Sequence, residues 1–276
     1  MAWLRRRQAK GSGENLEPSE LGVELSPQRC EQALQQLFDN LEADGGVERY
    51  VAALKMKSEL FGRLLAPEAL SQLDEEARDT VLERVFSARR RLAPHLREME
   101  VADFRSLVGE LLHGKGDLEE RMEAFVEALP CEGKACRARR DLAADLLHFY
   151  DPERYPLMTR WVWDVNTDSG ALRELVPHSD QIERLPTGGE PGVFLTLRDW
   201  VKEQLEAQAF YRDLDLMADL LLAQVYAQYI KAMAEGMLRT DFGGNSEDPS
   251  EHVRKLLGID EQRLKGRSRL KGETEG

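Results

Sequence analysis

The chain is poor in the residues that most enzyme classes need. Its 276 residues hold five histidines and three cysteines, and no histidines fall in an HxxxH or HExxH spacing, so one turn of helix cannot present a zinc-binding pair. No GxSxG, Walker A or Rossmann glycine pattern occurs, which removes the common hydrolase, phosphate-loop and dinucleotide readings. Positive charge is in deficit: 38 Lys and Arg face 51 Asp and Glu, a formal net charge of −13. Such a field repels polyphosphates unless a local basic patch offsets it.

Long apolar runs are missing too. The most apolar stretch, LDLMADLLLAQVYAQYIKAMAEGML at 214–238, is punctuated by Asp215, Asp219, Gln224, Gln228, Lys231 and Glu235. That is too polar for a bilayer span and suits the central helix of a bundle. The start, MAWLRRRQAKG, has arginines but no apolar run behind them, so no secretory signal is expected. An odd set of cysteines, Cys30, Cys131 and Cys136, then predicts reduced thiols and a cytoplasmic location.

What is present is helical periodicity. Ser26-Pro27 reads as an N-cap with proline at the first helical position, followed by a stripe at Cys30, Ala33, Leu34, Leu37, Phe38 and Leu41 that stops at Gly45-Gly46. Further stripes run through Val47 to Leu65, through Val81 to Phe86 with Arg89 to Arg91 in the last turn, through Phe104 to Leu112, and through Leu118 to Leu129. Helices resume with LTLRDWVKEQLEAQ, the 213–237 stretch, and DPSEHVRKLLG, whose Pro249 and Gly258 mark start and stop. Asp213, Asp215 and Asp219, with Glu206 upstream, read as carboxylates opening the long helix near its positive end; the Glu-x-x-His pairs of a di-iron bundle are absent.

The predicted fold is all-α, a multi-helix bundle with a small β-hairpin or irregular insertion around 161–195 that turns at Thr167 to Gly170. The chain divides into a disordered tail at 1–25, a helical domain at 26–260 with a candidate sub-boundary near 130–150, and a basic disordered tail at 261–276. The tails carry Arg5, Arg6, Arg7 and Lys10 beside Trp3 and Leu4, and Arg263, Lys265, Arg267, Arg269 and Lys271. They read as solvated counterweights to an acidic body, or as docking arms for an acidic partner or a membrane surface.

Residues 142–162, LAADLLHFYDPERYPLMTRWV, resemble a segment of the helix-hairpin-helix DNA glycosylases, in which a helix leads through Asp/Asn-Pro-Glu-x-Tyr-Pro to a catalytic aspartate. The resemblance implies nucleic-acid processing, but Thr159 follows Pro156-Leu157-Met158 where that carboxylate would stand, and Arg137, Ala138, Arg139 and Arg140 replace the glycine hairpin. Without those glycines backbone amides cannot approach a phosphate closely. The C-terminal half, with FLTLRDW, LLLAQVYAQYI and EDPSEHVRKLLG, is similar to a family of helical proteobacterial proteins, a likeness that implies no particular reaction.

Two weaker constellations remain. Asp164, Asn166 and Asp168 have the alternation of a calcium loop, but Ser169 and Leu175 stand where the loop needs Gly and Glu, and an Asx turn explains them better. Cys131 and Cys136, beside Lys134, Arg137, Arg139 and Arg140, could be activated thiols or metal ligands; ordinary reduced cysteines are the expectation. The sequence therefore predicts a non-enzymatic accessory protein, an adaptor, assembly factor or chaperone with a protein partner and no cofactor. Its candidate interaction residues are Arg140, Tyr155, Arg160, Trp161, Trp163 and Asp164. The alternative is a diverged glycosylase-like protein with Asp151 or Asp164 in a basic groove.

Overall fold

A computed structural model describes residues 16–42, 44–238 and 249–260, leaving aside the side chains of residues 90, 91, 236–238 and 249. Both terminal basic clusters lie outside the described residues. Those described form an all-α bundle with no strand, in keeping with the periodicity.

The N-terminal half runs through α1 (Pro27–Glu42), α2 (Gly46–Leu65), α3 (Pro67–Leu70), α4 (Glu75–Glu83), α5 (Phe86–Arg91), α6 (Ala93–Glu98), α7 (Val101–His113) and α8 (Leu118–Ala128). The remainder comprises α9 (Ala138–Tyr150), α10 (Ala171–Leu175), α11 (Pro191–Ala207), α12 (Leu214–Leu238) and α13 (Pro249–Leu257). Cap residues set several starts: Ser26 Oγ accepts from Arg29 N, Asp74 from Ala77 N and Asp117 from Glu120 N, each satisfying an amide left over by the first turn.

Two helices form the interior. α9 is buried from Leu142 through Phe149 and packs against α2, α5, α7 and α8. α12, apolar on nearly every side from Leu216 to Val225, meets α1, α2, α10, α11 and α13. Phe61, Phe104, Phe125 and Phe149 are fully enclosed between the layers, and burying such side chains contributes roughly 1.5–3 kcal/mol each.

The structure departs from the sequence reading in three places. The third stripe is not one helix: Val85, extended at φ −103°, breaks it into α4 and α5. The break leaves Val81, Leu82 and Val85 inside and turns Phe86 outward to 36% exposure. Residues 16–25, predicted as part of a disordered tail, lie along the body: Ser19 N donates to the Gly192 carbonyl, Thr196 Oγ1 to Ser19 O, and Ser26 N to Leu175 O. Cys131 and Cys136 form a disulfide across the 3-10 turn Gly133–Arg137 that leads into α9, rather than two reduced thiols. Of the two forms expected for 161–195, hairpin or irregular insertion, the structure shows the second, with one isolated β-bridge between Asp164 and Ser169 among the described residues and the short α10 within it.

α13 ends as predicted at Gly258, whose φ is +66°. Gly258 N donates to Lys255 O and Ile259 N to Arg254 O, the paired closure that a left-handed glycine permits. A Cβ there would lie 1.9 Å from the Arg84 carbonyl oxygen. Gly258→Ala is expected to cost about 2–4 kcal/mol, combining left-handed strain with overpacking; urea unfolding checks this, and an unchanged midpoint would mean α13 does not seat against Arg84.

Candidate functional site

Three polar residues of α9, Asp141, Asp145 and His148, recur at helical spacing on one face, and all are buried. Each meets a partner from a different part of the chain. Asp141 Oδ1 accepts from Arg160 N at 2.9 Å, and its Oδ2 accepts from Arg160 Nε at 2.9 Å and Nη2 at 2.6 Å. Burial opposes the Arg160 charge, but the hydrogen bonds and field of Asp141 outweigh it and hold the guanidinium above its ordinary range.

Asp145 faces Lys57 of α2 at 3.4 Å. The ammonium also donates to Leu257 O at 2.8 Å, at the C-terminal end of α13, and stands 3.4 Å from the centre of the Phe149 ring. A cation at the negative end of a helix and over an aromatic face is favourable on both counts. Burial nevertheless pushes Lys57 down to about 8, against the pull of Asp145, and pushes Asp145 up to about 6, against the pull of Lys57.

His148 Nδ1 lies 2.8 Å from the Tyr155 carbonyl and Nε2 lies 2.8 Å from Asp219 Oδ2 of α12. The first contact is a hydrogen bond when Nδ1 carries the proton; the second is a buried polar contact at ion-pair distance whose two atoms are not aligned as a hydrogen bond. His148 is fully buried and Asp219 is 1% exposed, so this group ties α9, the turn after it and α12 together out of reach of solvent.

The same turn carries an accessible face. Trp161 O and Val162 O accept from Ala171 N and Leu172 N, so the start of α10 pins the backbone at Trp161 and Val162. Its ring lies 6.3 Å from that of Tyr226, which lies 5.8 Å from Tyr229, both from α12. All three are half-buried, and the adjoining Arg160 side chain is 34% exposed. Burial first, and then Tyr229, push the Tyr226 phenol above its ordinary range.

The predicted interaction residues divide. Arg160, Trp161 and Asp164 border this face. Tyr155 and Trp163 are each 2% exposed and belong to the core, where Trp163 Nε1 donates to Gly188 O at 2.7 Å. They cannot touch a partner there. Arg140 donates to Gly189 O and holds the loop above rather than the face itself.

The alternating acids form a turn: Asp164 Oδ1 accepts from Asn166 N, while Asp168 accepts from Leu185 N and pairs with Arg173. Their carboxylates are thus committed within the protein, and among the described residues no cluster of His, Cys, Asp and Glu is arranged to hold a metal. Asp151 accepts from Arg154 N, closing the turn after α9. Arg139 is spent on the carbonyls of Leu129 and Cys136. Thr159, at the glycosylase-like position, is 1% exposed.

Sequence reasoning passed over Lys57, Asp145 and Asp219. The sign was there: Lys57 continues the apolar series Tyr50, Leu54, Phe61, and Asp145 and Asp219 interrupt otherwise apolar helices. A charge that occupies a core position needs a buried partner. The opening carboxylates of α12 likewise have named partners beyond the helix dipole, with Asp213 on Lys55 and Asp215 on Lys202. No protein-family model matches the chain, and the searches found no similar curated protein or solved structure.

Proposed function

We propose that the protein is a non-enzymatic accessory protein, an adaptor, assembly factor or chaperone, that binds a protein partner through Arg160, Trp161, Asp164, Tyr226 and Tyr229. The observation that carries this reading is the half-exposed row Trp161, Tyr226, Tyr229 beside a guanidinium anchored on buried Asp141. Trp, Tyr and Arg are the residues in which interface binding energy concentrates. Fixing them in advance lowers the ordering cost of association. Burial of the α9 polar groups leaves that stripe as architecture for the face.

The net charge of −13 favours a protein partner over nucleic acid. No helix among the described residues is long and apolar enough to cross a membrane. The location proposed is the cytoplasm, where the Cys131–Cys136 bond would be transient or redox-responsive rather than a permanent staple.

Tagged full-length protein and its Trp161→Ala variant, recovered from native lysate with and without nuclease, provide the test. The variant is expected to lose about 1–3 kcal/mol of stability, less than a fully buried aromatic would cost, and to lose a stoichiometric partner that survives nuclease. Equal recovery by both proteins, or nuclease-sensitive nucleic acid in place of a protein, would contradict the proposal.

A further inference from the structure

A second site lies elsewhere on the molecule. A cavity of about 480 Å³ opens where α2, the α4–α5 junction and the residues after α13 meet, lined by Ala53, Met56, Leu60, Arg63, Arg84 and Ile259 among others. That is within the size range of small-molecule sites. The paired closure at Gly258 carries Ile259 into the wall, and Arg89 bonded to Asp260 at 2.7 Å fastens the chain just beyond it.

The charges of the cavity do not balance locally. Lys57, at its floor, is matched by Asp145. Arg63 and Glu59 sit at the exposed rim. Arg84 is half-buried, donates to Thr80 O at 3.1 Å, and among the described residues has no carboxylate partner. Burial pushes its guanidinium down. A partly desolvated arginine with open donors calls for an anion. Around it the wall is mostly aliphatic, and Met56 is 69% exposed at the mouth.

We propose that this cavity binds a small organic anion with an aliphatic body, its carboxylate on Arg84 and its chain over Ala53, Met56, Leu60 and Ile259. The two halves of the ligand answer the two halves of the lining: a carboxylate takes the open guanidinium donors, and a short alkyl chain covers apolar surface that water now wets. An uncharged alcohol of the same length would satisfy only the second half. Phosphate would satisfy only the first.

The test uses octanoate as the probe and full-length protein with 13C-labelled methionine and isoleucine methyls. Octanoate is expected to shift the Met56 and Ile259 methyls saturably; octanol and inorganic phosphate are each expected to bind at least about tenfold more weakly, the measure of a lost charge-assisted bond. Arg84→Gln should weaken octanoate by a similar factor, and Arg84→Lys should restore most of the affinity. Failure of octanoate to shift these methyls, equal binding of octanol, or unchanged affinity in Arg84→Gln would overturn the proposal. Should Arg84→Gln fold poorly, the comparison of octanoate with octanol on the unaltered protein still decides it.

Discussion

Lys57→Met is expected to destabilise the fold by about 3–5 kcal/mol, because it strands the Asp145 carboxylate in the core. The variant removes several supports together: the ion pair at 3.4 Å, the bond to Leu257 O at 2.8 Å and the cation over Phe149. Urea unfolding reads the loss. The double variant Lys57→Met/Asp145→Leu should recover much of it, since removing both charges leaves none unpaired. The unpaired Leu257 carbonyl sets the limit of that recovery. A single variant of full stability would mean that the pair does not form.

The pair also has a pH signature. Burial raises Asp145 from the usual 3.8 to about 6, so its contribution is fully present below about 4 and is lost as pH rises through 6. Burial lowers Lys57 from the usual 10.5 to about 8, so its contribution is present above about 10.5 and is lost as pH falls through 8. Between those windows both groups are charged and the desolvation penalty is greatest. The double variant should flatten both slopes relative to the parent, and identical pH profiles would contradict the assignment.

Asp219→Ala is the second large effect, expected at about 3–5 kcal/mol on the same reasoning for a buried pair broken on one side. His148 would keep the Tyr155 carbonyl on Nδ1 and lose its partner on Nε2. Asp219→Asn should cost less, because a carboxamide still offers a hydrogen-bonding group to the ring. Thermal or urea unfolding of the two variants separates these outcomes. Equal loss in both would place the requirement on charge, and no loss in either would remove Asp219 from the network.

Much of the helical frame was legible in the sequence because apolar spacing and caps are local. Ser26-Pro27 opens α1, and Pro249 and Gly258 bound α13, as their chemistry implies. The break at Val85 was not legible, since Val81 to Phe86 satisfies one helix or two equally well until the docking of α13 against Arg84 is known. The disulfide depends on a 3-10 turn that spacing alone does not announce. For the candidate face, Arg160, Trp161 and Asp164 could be picked from a run of aromatics and charges. Their partners on α12, Tyr226 and Tyr229, could not, because a separation of more than sixty residues is closed only by tertiary packing. For the same reason Tyr155 and Trp163 looked equivalent to Trp161: sequence shows that a ring is present, and packing decides which ring faces water.

The most direct measurement of the interaction claim is site-specific photo-crosslinking in native lysate, with the reactive side chain placed at Tyr229 on the aromatic face or at Tyr211, which is 72% exposed on the turn before α12. The proposed function predicts one protein crosslinked in good yield from Tyr229, absent from Tyr211, and lost when Trp161→Ala is added. The same products from both positions, or none from Tyr229, would contradict it.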